Sequence, residues 1–102
     1  MSRERIYLYD TTLRDGQQTQ GVQFSTAEKQ TIATMLDTLG VDYIEGGWPG
    51  ANPTDSDFFD AAPTTKAVMT AFGMTKRVGR SADNDDVLAA VINAQTPAVC
   101  LV

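Results

Sequence analysis

No histidine occurs anywhere in the 102 residues, so imidazole is absent from this chain both as a base and as a metal ligand. A single cysteine, Cys100, excludes an internal disulfide framework and fits a reducing compartment. Basic residues are scarce: 8 Lys and Arg stand against 13 Asp and Glu, a net charge of -5. That balance argues against nucleic acid as a partner, because such a footprint needs a basic patch or stripe. No apolar run reaches the roughly 18 residues of a membrane span. The N-terminus, Met1-Ser2-Arg3-Glu4-Arg5, is charged and leads into a short strand, unlike a signal peptide. A soluble cytoplasmic protein is the expectation. With 42% hydrophobic content the chain fits one modest globular domain.

What is present is an alternation of strands and helices. Ile6-Tyr7-Leu8-Tyr9 reads as a buried first strand running to Asp10, and a polar loop follows to about Phe24. Ser25-Thr26-Ala27-Glu28 has the form of a capping box opening the first helix. Ile32, Met35, Leu36 and Leu39 give that helix one apolar stripe, and Gly40 is placed to end it in the left-handed conformation. Val41 to Glu45 reads as the second strand, with Gly46 to Pro53 as loop. A short helix is expected from Thr54 to Ala62, carrying Phe58 and Phe59, with Asp55 and Asp57 serving its N-terminus. Ala67 to Gly73 reads as the third strand and Met74 to Ala82 as a polar loop. Asp83 or Asn84 can cap a third helix whose buried face is Val87, Leu88, Val91 and Ile92. Pro97 precedes a fourth strand, Ala98 to Val102, in which Cys100 reads most simply as a small buried residue.

The order β-α-β-α-β-α-β, with short turns after helices and longer loops after strands, predicts parallel strands. In (β/α) barrels the loops after the strands carry the chemistry. A whole eight-stranded barrel takes about 200 residues or more, so this chain holds about half of one. A small flavodoxin-like sheet is the alternative, and ending on an uncovered strand counts against it.

Arg14 and Asp15 follow the first strand in Asp10-Thr11-Thr12-Leu13-Arg14-Asp15-Gly16-Gln17-Gln18. Asp15 can hold a divalent cation through one oxygen, or can simply bond its own backbone in a turn before Gly16. Arg14 can steady a developing negative charge, or lie solvated on the surface. Glu45 ends the second strand on the same rim if the strands are parallel neighbours. There it can hold Arg14 in a bidentate ion pair or act on substrate. Gln17 and Gln18 can hydrogen-bond a carbonyl. Trp48 and Pro49 either wall a pocket or pack the loop. Lys76, Arg77 and Arg80 can meet anionic groups, a solvated loop being the plainer reading.

Asp10 to Gly16, read as Asp-Thr-Thr-Leu-Arg-Asp-Gly, resembles the opening of the 2-isopropylmalate, homocitrate and citramalate synthase family, which is related to hydroxymethylglutaryl-CoA lyase. Gly40 to Pro53 is a second match. Its Trp48-Pro49-Gly50-Ala51-Asn52-Pro53 wording is most similar to the citramalate synthase branch, as is Ala71 to Arg77. The resemblance covers nearly the whole chain. It implies that residues 1–102 are the N-terminal half of a catalytic (β/α)8 TIM barrel, stopping at about strand four. The activity implied is a metal-dependent acyltransferase condensing acetyl-CoA with a 2-oxoacid, pyruvate to citramalate or 2-oxoisovalerate to 2-isopropylmalate, in branched-chain amino-acid biosynthesis. An acyl-CoA lyase of the same barrel family, or a non-catalytic half-barrel that self-associates, is the alternative. By the family pattern Asp15 is the metal ligand for Mg²⁺, Mn²⁺ or Zn²⁺. Arg14 stabilises the oxygen that gains charge, Glu45 helps set the polar site, and Gln18 lies near substrate. The position of Gln17 is variable in the family. The family's His-x-His metal pair, its base and its C-terminal regulatory domain have no counterpart here, so the chain alone is expected to be inactive. The whole enzyme is expected to be a homodimer.

Overall fold

The computed structural model describes residues 4–102, which leaves residues 1–3 of the charged N-terminus outside the described part. Four parallel strands form one sheet in the order β1-β2-β3-β4: β1 is Tyr9–Asp10, β2 Tyr43–Gly47, β3 Val68–Gly73 and β4 Ala98–Leu101. Between them run α1 (Thr26–Leu39), α2 (Pro53–Asp60) and α3 (Asp86–Asn93). This is the predicted alternation of half a (β/α)8 barrel, neighbouring strands being consecutive in sequence. The core lies between the sheet and α1 and α2, built from Leu13, Ala33, Ile44, Phe58, Ala67 and Met69. No helix among the described residues is long and apolar enough to cross a membrane.

The helix ends follow local chemistry. Ser25 accepts from the Glu28 N–H while Glu28 reaches back to the Ser25 N–H, and Gly40 closes α1 at φ 99°. Asn52 caps α2 and Pro53 occupies its first position, so the helix starts one residue earlier than expected and ends at Asp60 rather than Ala62.

Several expectations are corrected. The first strand is only Tyr9–Asp10, and Ile6, Tyr7 and Leu8 are 83%, 56% and 56% exposed rather than buried. This stretch runs along the sheet's edge, where the Asp42 carboxylate takes the Leu8 N–H and the Arg5 guanidinium. β2 starts at Tyr43 rather than Val41 and continues through Gly46 and Gly47, expected as loop. A register shift between Glu45 and Gly47 lets the strand carry on beside β3. Of the expected α1 stripe, Met35 and Leu39 are exposed, and the buried positions are Lys29 and Ala33, with Ile32 and Leu36 packed beside them. Lys29 shares that face in a buried ion pair with Asp55, Nζ to Oδ1 2.5 Å.

β3 begins at Val68 rather than Ala67. In α3 the cap is Asp85, not Asp83 or Asn84, which lie in a 3-10 turn, Ala82–Asn84. Asp85 accepts from the Val87 and Leu88 amides and from Arg77, whose backbone N–H chiefly holds the carboxyl down to about 2. Val91 is the one fully buried member of the α3 face, and Ile92 turns outward. Cys100 is half-buried.

Candidate active site

The site lies on the loops that follow the strands. Asp10, at the end of β1, accepts from the Thr12 N–H and hydroxyl, and the Thr11 carbonyl accepts from the amides of Arg14, Asp15 and Gly16. These bonds wind the chain into a tight turn directly after the strand. Leu13 is thereby driven into the core at 0% exposure, while Arg14 is directed towards β2 and β3. Gly16–Gln18 forms a 3-10 turn beyond it.

Arg14 Nε donates to Glu45 Oε1 at 2.5 Å, and the guanidinium carbon lies 4.1 Å from the Phe72 ring centroid. Glu45 is buried, and its other oxygen accepts from the Tyr9 hydroxyl. Burial, with the Glu45 and Cys100 side chains beside it, raises the Tyr9 pKa far above the usual phenol range, so the phenol stays a donor. Phe72 also takes the edge of Trp48, with ring centroids 5.2 Å apart at 77°. The result is a braced guanidinium whose terminal nitrogens make no hydrogen bond among the described residues.

A cleft of about 420 Å³ opens beside this group, walled by Arg14, Gln17, Gln18, Trp48, Asn52 and Asp55. Trp48 thus does both things read for it, packing on Phe72 and lining the cleft, and its indole Nε1 is buried without a partner among the described residues. Gln18 is exposed at the cleft wall. Asp15 is exposed, with its carboxylate 3.9 Å from the Arg14 guanidinium. The predicted residues therefore divide: Arg14 and Glu45 meet through the single Nε–Oε1 contact rather than the expected bidentate pair, because Tyr9 holds the other oxygen; Gln18 shares their rim, and Asp15 stands outside the cleft lining. In the basic loop after β3, Arg77 is bound to Asp85 at 3.2 Å, while Lys76 and Arg80 are exposed.

The expected divalent cation is not accommodated by these groups alone. Among the described residues no three His, Cys, Asp or Glu side chains come together as a metal site. Glu45 is taken up by Arg14 and Tyr9, which leaves Asp15 as a lone carboxylate where a cation needs several ligands.

Sequence reasoning missed four contributors. In the sequence Tyr9 and Phe72 read only as strand residues, and Lys29 carries no expectation. Asp55 is expected to serve the N-terminus of α2, but Asn52 caps its backbone and its carboxylate turns inward to Lys29, Gln17 and the Trp48 N–H. The one available signal was Lys29 itself, which falls in line with Ala33 and Leu36 at helical spacing.

Residues 5–100 match the family model described as HMGL-like. The chain belongs to the HMGL-like family. Among its relatives, the (R)-citramalate synthase of Aquifex aeolicus (strain VF5) is 48% identical over 101 residues, covering 96% of this chain and 19% of that protein. The (R)-citramalate synthase of Synechocystis sp. is 47% identical over 94 residues, 89% of this chain and 17% of that protein. The 2-isopropylmalate synthase of Parabacteroides distasonis is 42% identical over 82 residues, 78% of this chain and 16% of that protein. This HMGL-like chain thus spans less than a fifth of the length of these curated relatives.

Proposed function

We propose that this chain supplies the first-strand part of the active site of an acyltransferase that condenses acetyl-CoA with a 2-oxoacid. Pyruvate, giving citramalate, is the acceptor we favour over 2-oxoisovalerate. The support is the naming of the two citramalate synthase relatives above and the Trp48 to Pro53 wording of the loop after β2. The observation that carries the reading is the Arg14–Glu45 pair: a guanidinium fixed through Nε and stacked on Phe72, its terminal nitrogens at the rim making no hydrogen bond among the described residues and having only the exposed Asp15 carboxylate nearby, at 3.9 Å.

In the condensation a negative charge grows on the keto oxygen of the 2-oxoacid as the acetyl-CoA enolate attacks the adjacent carbon. Arg14 is the group that meets this charge, and its pre-set direction means little reorganisation accompanies the step. Glu45 and Phe72 orient Arg14, and Tyr9 keeps Glu45 bound on its second oxygen. Gln18 offers an amide to substrate at the cleft wall. No carboxylate braced in this way is free to take the acetyl methyl proton, and Asp15 alone cannot hold the divalent cation (Mg²⁺, Mn²⁺ or Zn²⁺) of the expected metal centre. The chain by itself is therefore inactive. Thioester hydrolysis, releasing CoA, closes the overall reaction. A cytoplasmic location and a homodimeric whole enzyme belong to the same proposal.

The test is a chimera in which this chain replaces the 101 matching residues of the A. aeolicus enzyme. It releases CoA from acetyl-CoA with pyruvate, and Arg14→Ala lowers kcat by about 100-fold or more while the chimera stays folded. A folded chimera without activity on either 2-oxoacid defeats the reading. CoA release above blank by the isolated chain with Mn²⁺ defeats the claim of inactivity.

A further inference from the structure

Beneath the cleft is a buried ion pair that the proposed reaction does not use. Lys29 on α1 and Asp55 on α2 are 0% and 1% exposed, with Nζ 2.5 Å from Oδ1. The Asp55 carboxylate also accepts from Gln17 Nε2, at 3.0 and 3.1 Å to its two oxygens, and from the Trp48 N–H at 2.9 Å. Its own N–H is held by Asn52 at 2.8 Å. A carboxylate has about four acceptor positions, and these contacts fill them. Space around the pair is closed as well. A Cβ on Gly47 would sit 2.7 Å from the Asp55 carboxyl carbon and 2.9 Å from Lys29 Nζ.

Gln17 belongs to the turn after β1, and Trp48 to the loop after β2. Both wall the cleft, and Asp55 bonds each of them directly. Desolvating a lysine and an aspartate is costly, and an apolar pair of the same size would stabilise the fold about as well. Burial indeed pulls the Lys29 pKa down, against the attraction of Asp55. What an apolar pair could not supply is two acceptor oxygens pointing at two different loops.

We infer that Asp55 is a positioning residue: its carboxylate, neutralised by Lys29, fixes the turn after β1 and the loop after β2 at one separation across the cleft. The inference stands apart from the acyl-transfer reading, since it concerns local order and its test needs no turnover.

The experiment is amide hydrogen exchange by NMR on the full chain, with fluorescence from its single tryptophan. Asp55→Asn keeps the shape but has one oxygen, which cannot stand both where Oδ1 faces Lys29 and where Oδ2 faces Trp48. The Trp48 amide is expected to exchange at least ~10-fold faster and the emission to shift. The Val68 amide, bonded to the Asp42 carbonyl at 2.8 Å, keeps its protection. Adding Lys29→Met frees the amide to turn its oxygen to Trp48, and protection returns. Gln17→Ala speeds exchange at Gln18 and Thr19 while leaving Trp48 protected. A merely structural pair would lower the melting temperature in Asp55→Asn without singling out Trp48, and that result overturns the inference. Should Asp55→Asn not fold, the double variant and Gln17→Ala decide: Trp48 protected in the first and a loosened turn in the second support it. Failure of either overturns it.

Discussion

The Arg14 guanidinium lies against the Phe72 ring, 4.1 Å from its centroid, so a loop after β1 is braced by a side chain two strands away. The same guanidinium is the cationic partner of Glu45, whose carboxylate is 1% exposed. Removing Arg14 leaves that charge buried without compensation. Arg14→Ala is expected to cost about 3 kcal/mol in urea unfolding. Arg14→Lys is expected to recover only part, because an ammonium can reach Glu45 or sit over Phe72 but cannot offer a planar face to the ring. Unfolding curves for Arg14→Ala that superimpose on those of the parent chain would show that water screens Glu45 and that the brace is weak.

Tyr9 gives the site an alkaline limit. Its pKa is raised, so the folded chain holds the phenolic proton more tightly than the unfolded one. The stability from this contact is whole below about pH 10, the ordinary phenol value, and is lost as pH climbs beyond it. Tyr9→Phe is expected to cost about 1 kcal/mol at pH 7, a charged hydrogen bond discounted for the half-exposed ring. The penalty should shrink between pH 10 and pH 12, in melts run with both proteins. A penalty constant across that range would mean that Tyr9 ionises without reference to Glu45.

The contacts legible in advance were those made within a few residues. Ser25 and Glu28 are three apart, Gly40 follows the last turn of its own helix, and the Asp10 to Gly16 motif carries its hydrogen bonds internally. The parallel order was legible too, because consecutive strands joined by helices have few other solutions. The rotation of α1 was not. It turns Lys29 inward to Asp55, 26 residues away, and a lysine on an apolar stripe gives no sign of what neutralises it. Likewise Gly46-Gly47 spells a loop by composition, and only the neighbouring helix shows why a strand needs glycine there. Arg14 and Glu45 meet as expected because parallel strands put their ends on one rim, but through Nε alone and not as a bidentate pair, since Tyr9 takes the second oxygen. Tyr9 and Phe72 join them by facing the same side of the sheet, a relation that exists only once the register is set.

Two glycines are expected to fail on substitution for different reasons. A Cβ at Gly46 would lie 2.6 Å from a Phe58 ring carbon and 3.0 Å from the Met69 sulfur, so Gly46→Ala must displace a fully buried ring between α2 and the sheet. The cost is about 2 to 3 kcal/mol. At Gly40 nothing lies within 4 Å of such a Cβ, and only the φ of 99° resists alanine. There the cost is about 1 kcal/mol. Equal losses in chemical denaturation would show that the helix–strand approach at Gly46 is looser than described.

Asp15 separates a residue's presence from a working metal site. Its carboxylate is exposed, its nearest charged neighbour is the Arg14 guanidinium at 3.9 Å, and no three metal-ligating side chains gather among the described residues. A cation near Asp15 would gain one or two oxygens from protein and keep the rest of its shell as water, while the guanidinium repels it. Mn²⁺ is therefore expected to bind the isolated chain no more tightly than about 1 mM, the range of weak carboxylate sites. Asp15→Asn should leave water-proton relaxation titrations unchanged within error. Binding in the micromolar range that Asp15→Asn abolishes would mean that Asp15 finds partner ligands within this chain. Glu45 would be the first to look for, and it could serve only by giving up Arg14, so Mn²⁺ and the Arg14 brace would then compete for one carboxylate.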